Sequence, residues 1–109
     1  MDTTNTNEAA GTGLPAVSFH ALSSALGSPA RWALLREVAM GDGLIIVELA
    51  ERLGLSASNT SKHMKILRDT GLVIVNRAGN HRIAPERLLS KAEGLVDFGA
   101  CLLRLNGKA

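Results

Sequence analysis

Polar side chains at helical spacing between Ser56 and Thr70 offer the first recognisable chemistry in this 109-residue sequence. If Thr60, Met64 and Leu67 turn inward, a rotation of about 100° per residue places hydroxyl, amide and ammonium groups on the opposite face. Such groups suit contacts to base edges and phosphates in a major groove. The pattern predicts a nucleic-acid-facing surface made of Ser58, Asn59, Ser61, Lys62 and Lys65.

Basic residues extend this surface into the segment that follows. Between Ser56 and Arg87 the chain has six basic and two acidic side chains, a net charge of +4, whereas the whole chain carries +2. A β-hairpin tip in this segment would be able to reach a minor groove or its phosphates. The sequence predicts such contacts from Arg77, Asn80, His81 and Arg82. A solvated turn that is basic by chance is the alternative.

Two helices joined by a tight turn must position the first surface. Ala50 is small enough for two helices to approach closely, and Gly54 accepts a left-handed conformation at a helix end. Ser56 is a suitable N-cap for a second helix over residues 57–70. Residues 49–73 therefore indicate a helix-turn-helix, although other helical hairpins share parts of this pattern.

The remaining apolar spacing predicts three more helices and one hairpin. The helices are expected over residues 16–27, 28–40 and 85–105, and the hairpin pairs residues 72–77 with 81–84. Residues 1–15 are polar and are expected to form a flexible N-terminal arm, with residues 16–109 as one domain.

The predicted last helix has apolar residues on two sides. They recur at spacings of four and three from Leu88 onward, so one face is expected to pack on its own domain and the other on a partner. A helix buried wholly within the monomer is the alternative. The sequence predicts a homodimer whose interface includes Leu88, Ala92, Leu95, Val96, Gly99, Leu102 and Leu103.

Other function classes lack their signatures in this sequence. The single cysteine, Cys101, excludes an intramolecular disulfide, and it is expected to be a core residue, with redox sensing as the alternative. No nucleophile–base pair, paired carboxylates or phosphate-binding loop can be assembled, so an enzyme is not expected. We expect no cofactor, no metal, no membrane segment and a cytoplasmic location.

Three stretches carry a resemblance to a known family: ALGSPARWALLREV at 25–38, LAERLGLSASNTSKHMKILRDTGLV at 49–73 and VNRAGNHRI at 75–83. They resemble the winged helix-turn-helix repressors of the ArsR/SmtB family. The resemblance implies a mostly α (α+β) fold, a winged helix-turn-helix with about five helices and a two-stranded β-hairpin wing. It also implies a dimer built from the first and last helices, which adds Val17, Phe19 and Leu22 to the interface.

The same resemblance implies a function and adds His63 to the groove-facing candidates. Packing of His63 at the helix boundary is the alternative. The expected protein is a homodimeric repressor that reads an imperfect palindrome in double-stranded DNA through two successive major grooves. A protein-interaction module on the same scaffold is the alternative from another class.

The sequence also departs from that family. Ile45 and Val47 occupy positions where metal-sensing members place cysteines, and aliphatic side chains cannot ligate a metal. The predicted last helix lacks the paired Asp and His ligands of the other family sensor site. The expected regulator is therefore not a classical metal sensor, and its effector is unknown. Thr60 replaces the usual aliphatic residue, and its hydroxyl is expected to bond back to a helix carbonyl.

Overall fold

The computed structural model describes residues 14–105, in which four α-helices are followed by two small antiparallel sheets. The helices are α1 (Phe19–Leu26), α2 (Pro29–Met40), α3 (Ile46–Leu53) and α4 (Ala57–Asp69). Strands β1 (Ile74–Val75) and β2 (His81–Arg82) form a hairpin, which we call the wing. After a 3-10 turn at Pro85–Arg87, strands β3 (Leu88–Ser90), β4 (Leu95–Asp97) and β5 (Leu102–Arg104) form the C-terminal sheet.

Local signals account for the helix boundaries. The hydroxyls of Ser18, Ser28 and Ser56 each accept a hydrogen bond from a backbone N–H in the first turn of the helix that follows. Pro29 occupies the first position of α2, where its fixed φ and missing N–H cost nothing. Gly54 ends α3 in the left-handed conformation, with φ of 67°. The predicted starts of α2 and α4 are therefore confirmed, whereas α1 begins only at Phe19, after its Ser18 cap.

The hydrophobic core draws on the helices and on the C-terminal sheet. Leu34, Leu49 and Met64 are completely buried and come from α2, α3 and α4. Val96 and Phe98 are equally buried and come from β4 and the residue after it. Burial of such a side chain stabilises the fold by roughly 1.5–3 kcal/mol. The C-terminal sheet is therefore part of the same core as the helix-turn-helix.

The predicted helix over residues 85–105 is wrong, and residues 14–105 contain four α-helices rather than about five. Gly94 and Gly99 interrupt this segment with φ values of 63° and 100°, which an α-helix does not allow. The apolar spacing also fits strands, because alternation turns Val96 inward together with its cross-strand partners Leu88 and Leu103. The fold class remains α+β, consistent with a winged helix-turn-helix.

Residues before α1 anchor the C-terminal sheet. The Val17 backbone N–H donates to the Phe98 carbonyl at 2.7 Å, and Arg87 Nη2 donates to the Pro15 carbonyl at 2.7 Å. The Arg87 guanidinium also lies 5.8 Å from the centre of the Phe98 ring. A Cβ on Gly99 would collide with Ala16, so this close approach requires glycine. Of the predicted arm, residues 1–13 lie outside the described part of the chain.

The dimer interface was predicted on a last helix, but these residues form the C-terminal sheet instead. Val17, Leu22 and Val96 lie in the core of the monomer, so their side chains do not face a partner. Phe19 and Leu102 are exposed, at 65% and 58% of their surface. The other predicted members lie in the C-terminal sheet or its turns and are half-buried or exposed: Leu88, Ala92, Leu95, Gly99 and Leu103. Dimerisation through this region stays a prediction.

Candidate nucleic-acid interface

The helix-turn-helix has the internal geometry that its sequence predicts. The left-handed Gly54 lets the chain reverse between α3 and α4, and the Leu55 N–H donates to the Ala50 carbonyl at 2.9 Å. Thr60, Met64 and Leu67 are buried against the rest of the domain, as expected. The Thr60 hydroxyl donates to the Ser56 carbonyl at 2.8 Å, so the buried polar atom is satisfied. The inward face of α4 therefore has a defined register.

That register leaves the polar face of α4 open to solvent. The exposed members are the predicted candidates Ser58, Asn59, Ser61, Lys62 and Lys65. Lys65 Nζ pairs with Asp69 Oδ2 at 2.8 Å, but both side chains are about two-thirds exposed. An exposed pair of this kind is worth little and exchanges readily for another anion. The face therefore combines hydroxyl, amide and ammonium groups along one helix side.

His63 is half-buried at the edge of this face and is held by a residue from another helix. Arg31 Nη1 lies 3.2 Å from His63 Nδ1, and Arg31 Nε donates to the Ala25 carbonyl at 2.5 Å. A guanidinium only donates hydrogen bonds, so His63 Nδ1 is the acceptor in this contact. A neutral ring then carries its proton on Nε2. His63 is therefore a hydrogen-bond donor at its other nitrogen.

The wing presents a basic tip on a turn stabilised by Asn76. The Asn76 side-chain Oδ1 accepts hydrogen bonds from the backbone N–H groups of Ala78 and Asn80, at 2.9 and 3.0 Å. Such a side-chain bond to the backbone is typical of turns that start with Asn. Arg77 and Arg82 are exposed on either side of this turn, and Asn80 is half-buried. The structure thus keeps three of the four predicted wing candidates at or near the surface.

The placement of His81 at the exposed tip is wrong, because the side chain is 2% exposed. Its backbone exchanges two hydrogen bonds with Leu44, at 2.8 and 3.1 Å. Its ring lies between the Leu44 carbonyl, 3.2 Å from Nδ1, and Arg68 Nη1, 3.1 Å from Nε2. Since a carbonyl only accepts and a guanidinium only donates, the ring is neutral with its proton on Nδ1. His81 therefore fastens the wing to α4.

Burial lowers the pKa of His81 below its usual value of 6.5, and the positive charge of Arg68 lowers it further. Hydrogen bonds with the backbone of Leu44 and Gly79 act in the opposite direction. Protonation would remove the lone pair that accepts from Arg68 and would place two cations in contact. The contact between the wing and α4 thus requires the neutral ring.

Two of the six basic residues between Ser56 and Arg87 have structural roles. Arg68 contacts His81, and Arg87 is 5% exposed beneath residue 15. Burial lowers the pKa of Arg87, while Asp97 and Glu86 act in the opposite direction. The basic groups that remain exposed in this segment are Lys62, Lys65, Arg77 and Arg82. The charge excess predicted from the sequence is therefore partly internal.

The sequence interpretation missed three residues that position the candidate interface. Arg31 holds His63 across 32 positions of the chain, and Arg68 holds His81 across 13. No local pattern signals either contact, because each partner lies on a different element. Asn76 was detectable, since Asn followed by a glycine-containing stretch is a known turn signal.

The described residues also bear on the expected absence of a metal site. Within residues 14–105, no group of three or more His, Cys, Asp or Glu side chains could hold a metal ion. Val47 lies exposed on α3, and Ile45 directly precedes that helix. Cys101 is half-buried in the turn before β5 and packs against the core. No helix in this part of the chain is long and apolar enough to span a membrane.

Comparisons with known proteins match the same part of the chain. A family model described as a helix-turn-helix domain matches residues 26–76. The HTH-type transcriptional regulator NmtR of Mycobacterium tuberculosis is 38% identical over 55 residues. These residues are 50% of this chain and 45% of NmtR, so the chain matches less than half the length of that relative. No solved structure matches the chain.

The matched residues contain α2, α3, α4 and the first strand of the wing, so this protein has a helix-turn-helix domain. These matches support the resemblance to the ArsR family that the three sequence stretches carry.

Proposed function

We propose that this protein is a transcriptional regulator that binds double-stranded DNA at specific sequences. One observation carries the proposal: the polar face of α4 and the basic tip of the wing are both exposed. The contact between Arg68 and His81 holds the wing against α4, so the two surfaces have a fixed relative position. The helix-turn-helix match and the name of the relative, a transcriptional regulator, support it. Proteins of this class are not normally enzymes.

In this mechanism α4 lies in the major groove and the wing contacts the adjacent backbone or minor groove. Ser58, Asn59 and Ser61 belong to the first turns of α4, where hydroxyl and amide groups can contact base edges. Lys62, Arg77 and Arg82 supply phosphate contacts, which position the helix without reading sequence. His63 adds a donor at Nε2, which suits a base acceptor or a phosphate oxygen. Lys65 makes a further phosphate contact when it releases Asp69.

A double variant tests the proposal. Lys62→Ala with Arg82→Ala removes two proposed phosphate contacts, so affinity for genomic fragments selected by the wild-type protein should fall at least tenfold. The slope of log affinity against log salt should become shallower by about 2. The control is Arg52→Ala with Arg104→Ala, which removes the same charge from two exposed ion pairs outside the proposed contacts. Equal effects of both variants, or salt-insensitive binding, would reject this surface.

The proposal includes a homodimeric repressor acting at an imperfect palindrome in the cytoplasm. Strand alternation places Leu102 on the outer face of the C-terminal sheet, and Phe19 and Leu89 are also more than half exposed. A second copy would cover such apolar surface. Sedimentation equilibrium should therefore detect a dimer, and Leu102→Glu should shift it to monomers with unchanged helicity. Retention of the dimer by that variant would place the interface elsewhere.

A further inference from the structure

A cavity of about 350 Å³ lies between the C-terminal end of α2, the second strand of the wing and the start of the C-terminal sheet. Val38, Ile83 and Leu88 contribute apolar walls from these three elements. Arg82, Lys91 and Asp42 also line it and supply the charged groups. The cavity does not overlap the outward face of α4. It is at the small end of the size range of ligand sites in proteins.

The charges around the cavity do not cancel. Lys91 Nζ donates to the Gly41 carbonyl at 2.7 Å and pairs with Asp42 Oδ1 at 2.9 Å. Within residues 14–105, the Arg82 side chain has neither an ion pair nor a hydrogen bond. We call Arg82 and Lys91 the cationic rim. Among the described residues that line the cavity, two cations and one carboxylate leave a net positive charge beside apolar walls.

The Asp42 carboxylate is held by an ion pair that allows exchange. The Asp42 side chain is 93% exposed, and Lys91 is 45% exposed. The hydrogen bond and the charge of Lys91 lower the pKa of Asp42, so this carboxylate stays ionised. An ion pair this exposed contributes little to stability. A carboxylate entering the cavity can therefore replace Asp42 on Lys91 at small cost, and Arg82 lines the same cavity.

We propose that this cavity binds a small organic monocarboxylate, with its carboxylate at the cationic rim and its apolar body against Val38, Ile83 and Leu88. Apolar walls favour a ligand with a hydrocarbon body, because removing such surface from water is favourable. Inorganic phosphate has no such body and is heavily hydrated, so it suits the rim but not the walls. The paired donors of Arg82 match the two oxygens of a carboxylate.

The site has a consequence that rests on the proposed function. Arg82 belongs both to the cationic rim and to the proposed DNA contacts. A carboxylate in the cavity and a DNA phosphate therefore compete for the hydrogen-bond donors of its guanidinium. A bound carboxylate therefore lowers DNA affinity. By linkage, DNA lowers the affinity for the carboxylate by the same factor.

The test uses benzoate as the probe, with the full chain in the absence of DNA. Titration followed by amide NMR should show saturable shifts near residues 38, 83 and 88. Benzoate should bind about tenfold more tightly than the neutral benzyl alcohol, since the added carboxylate makes charge-assisted hydrogen bonds. Inorganic phosphate should bind more weakly than benzoate. Equal binding of benzoate and benzyl alcohol, phosphate binding as tight as benzoate, or no saturable shifts would overturn the proposal.

Two variants locate the site independently. Lys91→Met removes one rim cation and should weaken benzoate binding about tenfold. Its matched control is Arg104→Met, which breaks another exposed ion pair of this region, with Glu93, and should change the affinity less than twofold. Leu88→Phe adds volume to the cavity wall and should weaken benzoate and benzyl alcohol together. Wild-type affinity in both Lys91→Met and Leu88→Phe would reject the cavity as the site.

A second measurement separates this proposal from the proposed function. Saturating benzoate should lower the affinity for selected DNA fragments, and Lys91→Met should reduce that effect. If the chain binds benzoate in the cavity but no DNA, the proposed function fails and the ligand site stands. If it binds DNA but not benzoate, only the ligand site fails. Unchanged DNA affinity at saturating benzoate would overturn the role of Arg82 in the coupling.

Discussion

The helix-turn-helix and the C-terminal sheet are stabilised by contacts of different range. In the former, Ser56 caps α4 and Gly54 ends α3, so the main turn depends on residues next to it. In the latter, Arg36 Nε donates to the Leu105 carbonyl across 69 positions, and Val17 donates to the Phe98 carbonyl. One region is specified by its neighbours in sequence, and the other depends on elements far along the chain. Substitutions should therefore act differently in the two regions.

The largest expected effect is at Gly99. Gly99→Ala adds a Cβ that collides with Ala16 at a φ of 100°, so we expect it to lower the free energy of unfolding by about 3 kcal/mol. Gly54→Ala is the matched variant, because its φ is 67° and nothing lies within 4 Å of the added atom. It should cost only about 1–2 kcal/mol. Urea unfolding measures both values.

The sign of the Gly99 effect also tests the C-terminal fold. In a continuous helix over residues 85–105, Gly99→Ala would stabilise the protein by about 0.5–1 kcal/mol. Stabilisation would therefore contradict the sheet and restore the helix.

The contact between the wing and α4 should make stability depend on pH. Because the pKa of His81 is lowered in the folded state, the unfolded chain binds more protons as the pH falls below about 6.5. The free energy of unfolding should then decrease with falling pH, by at most about 1.4 kcal/mol per pH unit, until the folded pKa is passed. His81→Gln should remove this dependence, whereas the exposed His20→Gln should keep it. Identical pH profiles for wild type and His81→Gln would contradict this role.

A smaller effect is expected at the Arg31–His63 contact. Arg31→Ala leaves His63 without its partner and should weaken DNA binding about fivefold, as loss of one hydrogen bond of about 1 kcal/mol would. Nitrogen NMR of the rings gives a more specific readout. In the wild type His63 should carry its proton on Nε2 and His81 on Nδ1. In Arg31→Ala only the His63 signal should change; the same tautomer for both rings in the wild type would refute the assignment.

The smallest effect is expected at the ion pair on α4. Asp69→Asn removes the partner of Lys65, and because both groups are exposed, the free energy of unfolding should change by less than about 0.5 kcal/mol. DNA affinity should rise slightly, because Lys65 no longer has to release the Asp69 carboxylate before it contacts a phosphate. Thermal unfolding and fluorescence anisotropy measure the two quantities. A large loss of stability would show that the pair is structural.

Much of the candidate interface was predictable from the sequence for a physical reason. Helix spacing and the Ser56 cap define which side of α4 is buried, so Ser58, Lys62 and Lys65 follow as its exposed face. His81 was misplaced because alternation in a two-residue strand does not show which side meets another element. The His81 side chain is buried because Leu44 and α4 lie against that side of the strand in the folded protein.

The helix-turn-helix was encoded in short-range features: serine caps, one left-handed glycine and apolar residues at helical spacing. Those features act within a few residues, so they can be predicted from the sequence without knowledge of the fold. The C-terminal sheet, the burial of His81 and Arg87, and the cavity at the cationic rim depend on which distant segments meet. Short apolar runs around Gly94 and Gly99 fit a helix or a strand equally well, and packing against Ala16 and the core settles the choice.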